Sequence, residues 1–595
     1  MIVIIAPGLL NYIGFFLRFF FYFPKNKLRI YEIDPSEQKI IRIVLIKFFT
    51  NIYTIPNNIN FSSYSKIFFK SYSESKIMET ILIDYLELAY KELTKEEKSF
   101  LLKNMMINYI FYYYFCLKSV IKYNEEDKNY FEKVIFMSSL PKKVAFELIC
   151  KLVKKEQYQK IQCISSDFQV LNIFLFFSFF INLIKNIRFK TKKLEKIKII
   201  RDINIAKSVN YLENGITFPL KKSNVNEITF YCKMSDFNLF HQNGYILEKE
   251  IEAVTKLDFK VIYEKELKIH YSFFSYFKLN LKSLLFSPSF MLSRIIFEIS
   301  NLKLSYITLL SNYEVDNILF STHTNGIGSP FIHDSIIYTA IKVLNKNTKL
   351  TAYQTRAYYV DCCEYDYMYC DHMIYWSKYW KNSITTSEYS NIGKISYFND
   401  SINLNKTMLY KNDNLSKLKV IVFPVEIGDN SYIGKKDMKR FVIDIIDTIT
   451  ELNGEVNIKP KYESEKKFFE EIVINHVTNQ ENIKVLDGGL LLEHDILSNK
   501  NLAITIGYTS SGFEVLFRGI NSIYYDIKDF QVKNIDNIDN FTVNNKINLK
   551  LLILKIQKDE KFRRKIWEKQ VKTVGFALLP RLDSTIDYEK GFELK

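Results

Sequence analysis

From about residue 200 onward, apolar runs of strand length alternate with helical stretches, and this alternation leaves the chain few folds to choose from. In the later half "VIVFPVE" precedes "KDMKRFVIDIIDTITELNG", and "EVNIKP" precedes "ESEKKFFEEIVINHV". "IKVLD" precedes "LLEHDILSN", "LAITIG" precedes "SGFEVLFRG", and "SIYYD" closes the series. Such short, near-continuous apolar runs are strands covered on both faces, which means a parallel sheet with helical crossovers. An earlier series, "EITFYCK", "FKVIYE", "NILFSTH", "KLTAYQT" and "HMIYWS", shows the same alternation. The polar stretch "YKNDNLSKLK" separates the two. The pattern predicts an α/β fold with two tandem Rossmann-like domains, at about 200–410 and 415–545, facing across a cleft. A helical tail is expected over 546–595.

Residues 1–195 read as a mostly helical region. "METILIDYLELAYKELTKEEKSFLLKNMMINYIFYYYFCLKSVIKY" keeps helical periodicity without an internal Pro or Gly. "KVIFMSS", a helical "LPKKVAFELICKLVKKE" and "KIQCISS" read as one strand–helix–strand unit. The basic "KNIRFKTKKLEKIKIIRD" after Ile184 reads as a linker. Two stretches invite a membrane reading, Asn11 to Phe23 and Val170 to Ile184. The second falls between the lengths of a core helix and a spanning one, so core, interfacial and spanning placements stay open. Its basic flank suits an anionic cytoplasmic leaflet.

A chain of 595 residues exceeds one core, so two or three domains are expected. Its net charge of +16 points to anionic partners, although abundant Lys, Ile and Asn suggest that some of the charge is compositional. The basic residues are spread out and match no nucleic-acid motif; anionic lipid or nucleotide phosphate fits better. Cys362, Cys363 and Cys370 fit neither a zinc nor a redox spacing and read as reduced thiols of a cytosolic protein. The first residues lack a basic n-region, so no signal peptide is expected.

Ligands of an open parallel sheet sit beyond the carboxyl ends of its strands. After "LAITIG" come Thr509, Ser510, Ser511 and Gly512, opening a helix. Unpaired N–H groups and hydroxyls there can hold phosphate, while Glu514 can take a ribose diol; simple helix capping is the alternative. After "EVNI", Lys459 and Lys461 either face a diphosphate or belong to a solvated loop. In the first series, Gln354 and Arg356 follow one strand, and His323 and His333 follow another. Either His can be a general base, or structural. Asp361, Glu364, Asp366 and Asp371 are further candidate bases. No convincing DxD context or metal cluster occurs.

These segments, in this order, resemble a family. "AITIGYTSSGFEVLFRGINSIYYD" resembles the nucleotide-binding signature of GT-B glycosyltransferases. "VNIKPK" is similar to the "KPHP" segment of the capsule and teichoic branches, with Lys461 where they have His. "LTAYQTRAYY" resembles their "QHG" strand end, with Thr355 in the His position, and "HMIYWSKYW" resembles the strand that follows. The likeness spans roughly residues 310 to 530 and is greatest for bacterial surface-carbohydrate, O-antigen and capsule proteins, with CDP-glycerol-type transferases related.

The resemblance implies that Ser510 and Ser511 hold the donor diphosphate, Glu514 the ribose, and Lys459 the leaving group. Thr509, Gly512 and Lys461 would complete the donor site, with Gln354 and Arg356 on the acceptor side. The donor would be a nucleotide-activated sugar acting as co-substrate, with no metal or other cofactor, and the acceptor a glycan or lipid-linked glycan. The expected location is cytoplasmic, on or near the inner face of the membrane. A polyol-phosphate transferase using a CDP-linked donor, and a non-catalytic scaffold, are the other readings.

Overall fold

The protein is described from a computed structural model. It covers residues 2–5, 28–31, 75–106, 133–138, 142–152, 161–165, 195–202, 228–232, 260–263, 290–321, 333–354, 366–382, 387–397, 417–425, 433–477, 481–488, 496–497, 499–506, 511–527 and 540–574, with a few single positions between them. Among the described residues the strands form three sheets, and every pairing is parallel.

The first sheet holds β1 (Ile2–Ile5), β2 (Leu28–Tyr31), β3 (Lys133–Ser138) and β4 (Ile161–Ser165), in the order β2-β1-β3-β4. The N-terminal region thus carries a sheet besides the helices expected of it. The strand–helix–strand unit is present, with α3 (Lys142–Leu152) between β3 and β4; α1 (Ile77–Ala89) and α2 (Lys95–Met105) precede it.

The second sheet holds β5 (Glu195–Asp202), β6 (Ile228–Cys232), β7 (Lys260–Tyr263), β8 (Tyr313–Ser321), β9 (Lys349–Tyr353), β10 (Tyr369–Tyr375) and β11 (Asn391–Tyr397). Their order is β11-β10-β9-β8-β5-β6-β7. Here the linker expectation is corrected. "EKIKIIRD" is β5, a central strand between β8 and β6, and its lysines conceal an alternating pattern within a basic run.

The third sheet holds β12 (Lys419–Phe423), β13 (Glu455–Ile458), β14 (Ile483–Val485), β15 (Leu502–Thr505), β16 (Asn521–Tyr525) and β17 (Thr542–Val543), in the order β14-β13-β12-β15-β16-β17. Both larger sheets grow outward through three strands, then restart on the other side of the first. The reversals fall between β5 and β8 and between β12 and β15. At such a switch point the loops diverge and leave a crevice.

The helical stretch expected from Met78 onward is broken. α1 (Ile77–Ala89) ends at Tyr90, and α2 (Lys95–Met105) starts afresh from Thr94. Thr94 Oγ1 accepts from the Glu97 N–H at 3.2 Å, and the Thr94 N–H donates to Glu97 at 2.9 Å. This reciprocal cap satisfies two otherwise unpaired donors and fixes the break. α2 packs on α4 (Phe290–Asn312) and α5 (Asp334–Val343) of the second sheet's helical layer.

Ion pairs tie the helices together: Lys303 to Glu97 at 2.7 Å and Lys342 to Glu96 at 2.5 Å. Lys103 meets Asp334 at 3.0 Å, both fully enclosed. Asp334 also accepts from the N–H groups of Ser335 (2.8 Å) and Tyr369 (2.7 Å). Burial raises the Asp334 carboxyl above its usual range; the Lys103 charge and these hydrogen bonds oppose that shift.

On the third sheet α7 (Lys435–Glu451) buries Met438, Phe441, Val442, Ile445, Ile446 and Ile449, a continuous stripe at helical spacing. α8 (Lys466–His476) and α10 (Lys546–Lys558) pack beside it. The last described helix, α11 (Glu560–Val574), reaches back to the segment that follows β10 of the second sheet. Among the described residues no helix is long and apolar enough to cross a membrane. The stretches Asn11 to Phe23 and Val170 to Ile184 lie outside the described residues.

Candidate functional site: the crevice where two strand ends meet

The switch point of the third sheet lies between β12 and β15, and the four residues of β15 are all buried. A short helix, α9 (Ser511–Glu514), follows and runs into a 3-10 turn, Val515–Arg518. Gly519 ends the element with φ 75°, a left-handed conformation that costs glycine little. Gly512 is needed for another reason. A Cβ there would stand 3.0 Å from both Thr505 Cγ2 and Oγ1, and 3.1 Å from Ser522 Oγ. Its lack of a side chain lets α9 lie directly on β15 and β16. Ser511 is half-buried at the start of the helix. Glu514 is its last residue, while Thr509 and Ser510 lie outside the described residues.

Two strands across, Lys459 and Lys461 follow β13. Strands pair about 4.8 Å apart, so the ends of β13 and β15 stand about 10 Å apart with β12 between them. Lys459 differs from the expectation of an amine facing the crevice. It is 7% exposed, and Nζ donates to the Asp487 carbonyl at 2.6 Å, on the β14 side of the strand. Lys461 is half-buried, with Nζ 4.9 Å from the Tyr462 ring centre. The hydrogen bond from Lys466 holds the Asp487 carboxyl below its usual range.

Glu465 was not anticipated from the sequence. Its Oε1 accepts from the Ile427 N–H at 2.7 Å and Oε2 from the Tyr462 N–H at 3.2 Å, which staples the loop after β12 to the loop after β13. A capping box usually announces itself through Ser or Thr, and here the cap position holds Tyr462.

In the second sheet, Gln354 follows β9 and is fully buried. Its Oε1 accepts from the Trp376 N–H at 3.0 Å, and its backbone carbonyl accepts from Trp376 Nε1 at 2.8 Å. Gln354 therefore locks β9 to the end of β10, and that oxygen is already engaged. His333, 6% exposed, precedes α5; its ring lies against Phe100, and Nδ1 is 3.3 Å from the Tyr306 hydroxyl. His323, Arg356, Asp361 and Glu364 lie outside the described residues.

Asp366 and Asp371 are at the wrong edge for chemistry in the crevice. Asp366 precedes β10 and meets Lys76 at 2.9 Å, and Asp371 accepts from the Leu350 N–H at the start of β9. Cys370 is buried, and desolvation pushes its thiol well above the usual range. Cys362 and Cys363 lie outside the described residues.

The segments singled out in the sequence are joined by a line of rings. Trp376 meets Trp380 on α6 (Lys378–Asn382) at 5.9 Å, and Trp380 meets Phe513 on α9 edge-on at 5.6 Å and 88°. Phe513 in turn stacks on Phe541 at 5.0 Å. α6 follows the carboxyl end of β10 and α9 that of β15, so the two sheets present these ends to one another. α11 closes the joint: Trp567 Nε1 donates to the Leu516 carbonyl at 2.7 Å, and Trp380 Nε1 to the Val574 carbonyl at 2.6 Å.

No family model matches the chain, and no curated protein matches it. Among solved structures, one similar chain is the UDP-GlcNAc 2-epimerase from Neisseria meningitidis bound to UDP-GlcNAc. Identity is 9% and the TM-score 0.33, over 64% of this chain and 96% of that one. The spinosyn rhamnosyltransferase SpnG, complexed with spinosyn aglycone, gives 8% identity and a TM-score of 0.30 over 65% and 98%. The alpha,alpha-trehalose-phosphate synthase from Burkholderia vietnamiensis gives 7% and 0.32 over 67% and 96%. Likenesses of this size do not define a class, whereas the strand order and the facing strand ends do. This is an α/β protein with two Rossmann-like domains in tandem, the GT-B layout.

Proposed function

We propose that the protein is a glycosyltransferase that takes a nucleotide-activated sugar and builds a bacterial surface polysaccharide or its lipid-linked precursor. The observation that carries this reading is the hydroxyl-bearing start of α9, seated beside the switch point of one Rossmann-like sheet and joined through Phe513 and Trp380 to the strand ends of the other. N–H groups and hydroxyls at a helix start suit a diphosphate, and the absent side chain at Gly512 allows close approach.

In this reading Thr509, Ser510 and Ser511 hold the diphosphate and Glu514 the ribose. Lys461 would serve the leaving group in preference to Lys459, whose amine would first have to release the Asp487 carbonyl. His323 is the preferred general base, because His333 is enclosed by Phe100 and Tyr306. Arg356 would lie on the acceptor side. Basic residues and N–H dipoles would replace a metal, and the donor would be the sole cofactor-like partner.

The engaged Lys459 amine and Gln354 carbonyl oxygen favour a second reading, a non-catalytic member of the same fold. Titration with UDP, CDP, GDP and dTDP, free and as sugar conjugates, separates them, followed by turnover with a glycan acceptor. Glu514→Ala should weaken binding about tenfold, since each lost hydrogen bond is worth roughly 0.5–1.5 kcal/mol and a decade about 1.4 kcal/mol. Wild-type affinity in a folded Glu514→Ala protein would make α9 an ordinary capped turn. Tight binding without transfer would favour the non-catalytic reading.

A further inference from the structure

One face of the third sheet gathers cations toward the amino ends of its strands, away from α9. The register sets Lys419 beside Glu455 and Asn457 beside Lys484, so these four side chains share a face. Ile421, two residues along β12 from Lys419, packs on that face with Leu497 and Ala503, which brings the segment before β15 over it. Lys500, from that segment, is 5% exposed, yet its ammonium carries three donors and meets one acceptor among the described residues, the side-chain oxygen of Asn457. Burial lowers the Lys500 pKa from its usual range; Glu455 opposes the shift, and the charges of Lys419 and Lys484 add to it. Two carboxylates lie in the field of these lysines, and both are taken, Glu455 by Lys417 at 2.6 Å and Asp487 by Lys466 at 2.5 Å. Among the described residues the Lys419 and Lys484 ammonium groups make no hydrogen bond or ion pair.

We propose that Lys419, Lys484 and Lys500 form a second anion site, which takes a phosphate group. A buried ammonium with donors to spare beside two like charges is costly, and one dianion with several acceptor oxygens relieves both costs. The reach is suitable. Lys419 and Lys484 are two strands and one two-residue step apart, about 12 Å between Cα atoms, and an extended lysine side chain spans roughly half of that. The enclosed Lys500 suits a single phosphate group better than a nucleic acid, whose backbone needs a continuous basic track. The site lies at the start of β12, about 13 Å along a five-residue strand from the switch-point crevice, and its argument is independent of the donor site.

The test is lysine acetylation of the full chain, read residue by residue by mass spectrometry at fixed ionic strength. Chloride, acetate, inorganic phosphate and glycerol phosphate are the separate arms, and Lys439, exposed on α7, is the internal reference. Inorganic phosphate at about ten times its Kd should slow acetylation of Lys419 and Lys484 about tenfold, because about one site in eleven is then open. Chloride and acetate should leave both rates unchanged. Stronger protection by glycerol phosphate would assign a phosphomonoester, and stronger protection by phosphate the free ion. The readout is local, so phosphate held beside α9 does not move it. K419Q should raise the phosphate concentration needed to protect Lys484 by about tenfold or more, and K500M should do so at both lysines, since each loses a charge-assisted hydrogen bond. Circular dichroism checks the fold of each variant, and K419Q carries the test alone where K500M does not fold. Protection by chloride as strong as by phosphate, equal slowing at Lys439, or unchanged protection of Lys484 in K419Q would overturn the proposal. So would protection by a single-stranded oligonucleotide where phosphate gives none, since the lysines would then belong to a nucleic-acid track.

Discussion

Gly512→Ala sets two effects of known size against each other. Gly512 sits in a helix, and its φ is outside the left-handed region, so alanine should gain about 0.8–1.0 kcal/mol of helix propensity. Against this, the new Cβ meets Thr505 Cγ2 and Oγ1 at 3.0 Å and Ser522 Oγ at 3.1 Å. Thr505 and Ser522 are each 1% exposed on interior strands, so neither strand can retreat. Overpacking of this kind costs about 1–3 kcal/mol, which leaves a net loss of about 0–2 kcal/mol. Most of the strain should be relieved by α9 lifting from the sheet, carrying Ser511 and Phe513 with it. Donor affinity should therefore fall by more than the loss of stability implies. Urea denaturation and nucleotide titration measure the two separately. A double-mutant cycle with Thr505→Ala adds a control, because removing both close atoms should recover about 1 kcal/mol of the loss through coupling. A Gly512→Ala protein stabilised by the full propensity gain, with no coupling to Thr505, would refute the close-approach argument.

Lys103→Met should destabilise the protein by about 3–5 kcal/mol in urea, because Asp334 is left buried without its partner. The Asp334 pKa is raised in the folded state, so its favourable contribution is complete below the unfolded value and is lost as pH rises through the folded one. The Lys103→Met defect should accordingly shrink in acid, which stability curves at several pH values will check. Trp380→Ala removes the ring between Trp376 and Phe513 and the bond to Val574, and should cost about 3–5 kcal/mol. Calorimetry should then resolve the two larger domains as separate transitions. Glu465→Ala strips the Ile427 and Tyr462 N–H groups of their acceptor, at about 1–3 kcal/mol for each one left buried; a lower thermal midpoint is the readout.

Five strands of the third sheet were legible because they are short, mostly apolar runs, whereas the two-residue β17 carries no such run. "VIVF", "EVNI", "IKV", "LAIT" and "SIYY" are each identifiable without their neighbours, and the parallel fold follows from their alternation with helices. β5 was hidden because its lysines alternate with isoleucines within a longer basic stretch, so composition outweighed periodicity. The break between α1 and α2 rests on one capping box inside a continuous helical pattern, a local signal that long-range periodicity masks. In the site, the start of α9 was visible as Ser and Gly after a strand. The Trp380–Phe513 joint was not, because 133 positions separate rings that only the packing of two domains brings together. Gln354 carried the right motif in the right place, but a sequence does not reveal that its side chain is spent on Trp376.

The pairing of α2 with α5 also sets a timetable. Asp334 lies 231 residues after Lys103. At about 5–20 residues per second, a ribosome needs roughly 10–50 s to deliver it. Until then Lys103, Phe100 and Met105 wait on the nascent chain without the surface that will enclose them. The helix pair α1–α2 waits through about two-fifths of synthesis, and slowing translation between residues 106 and 333 should lengthen its exposure to chaperones and proteases.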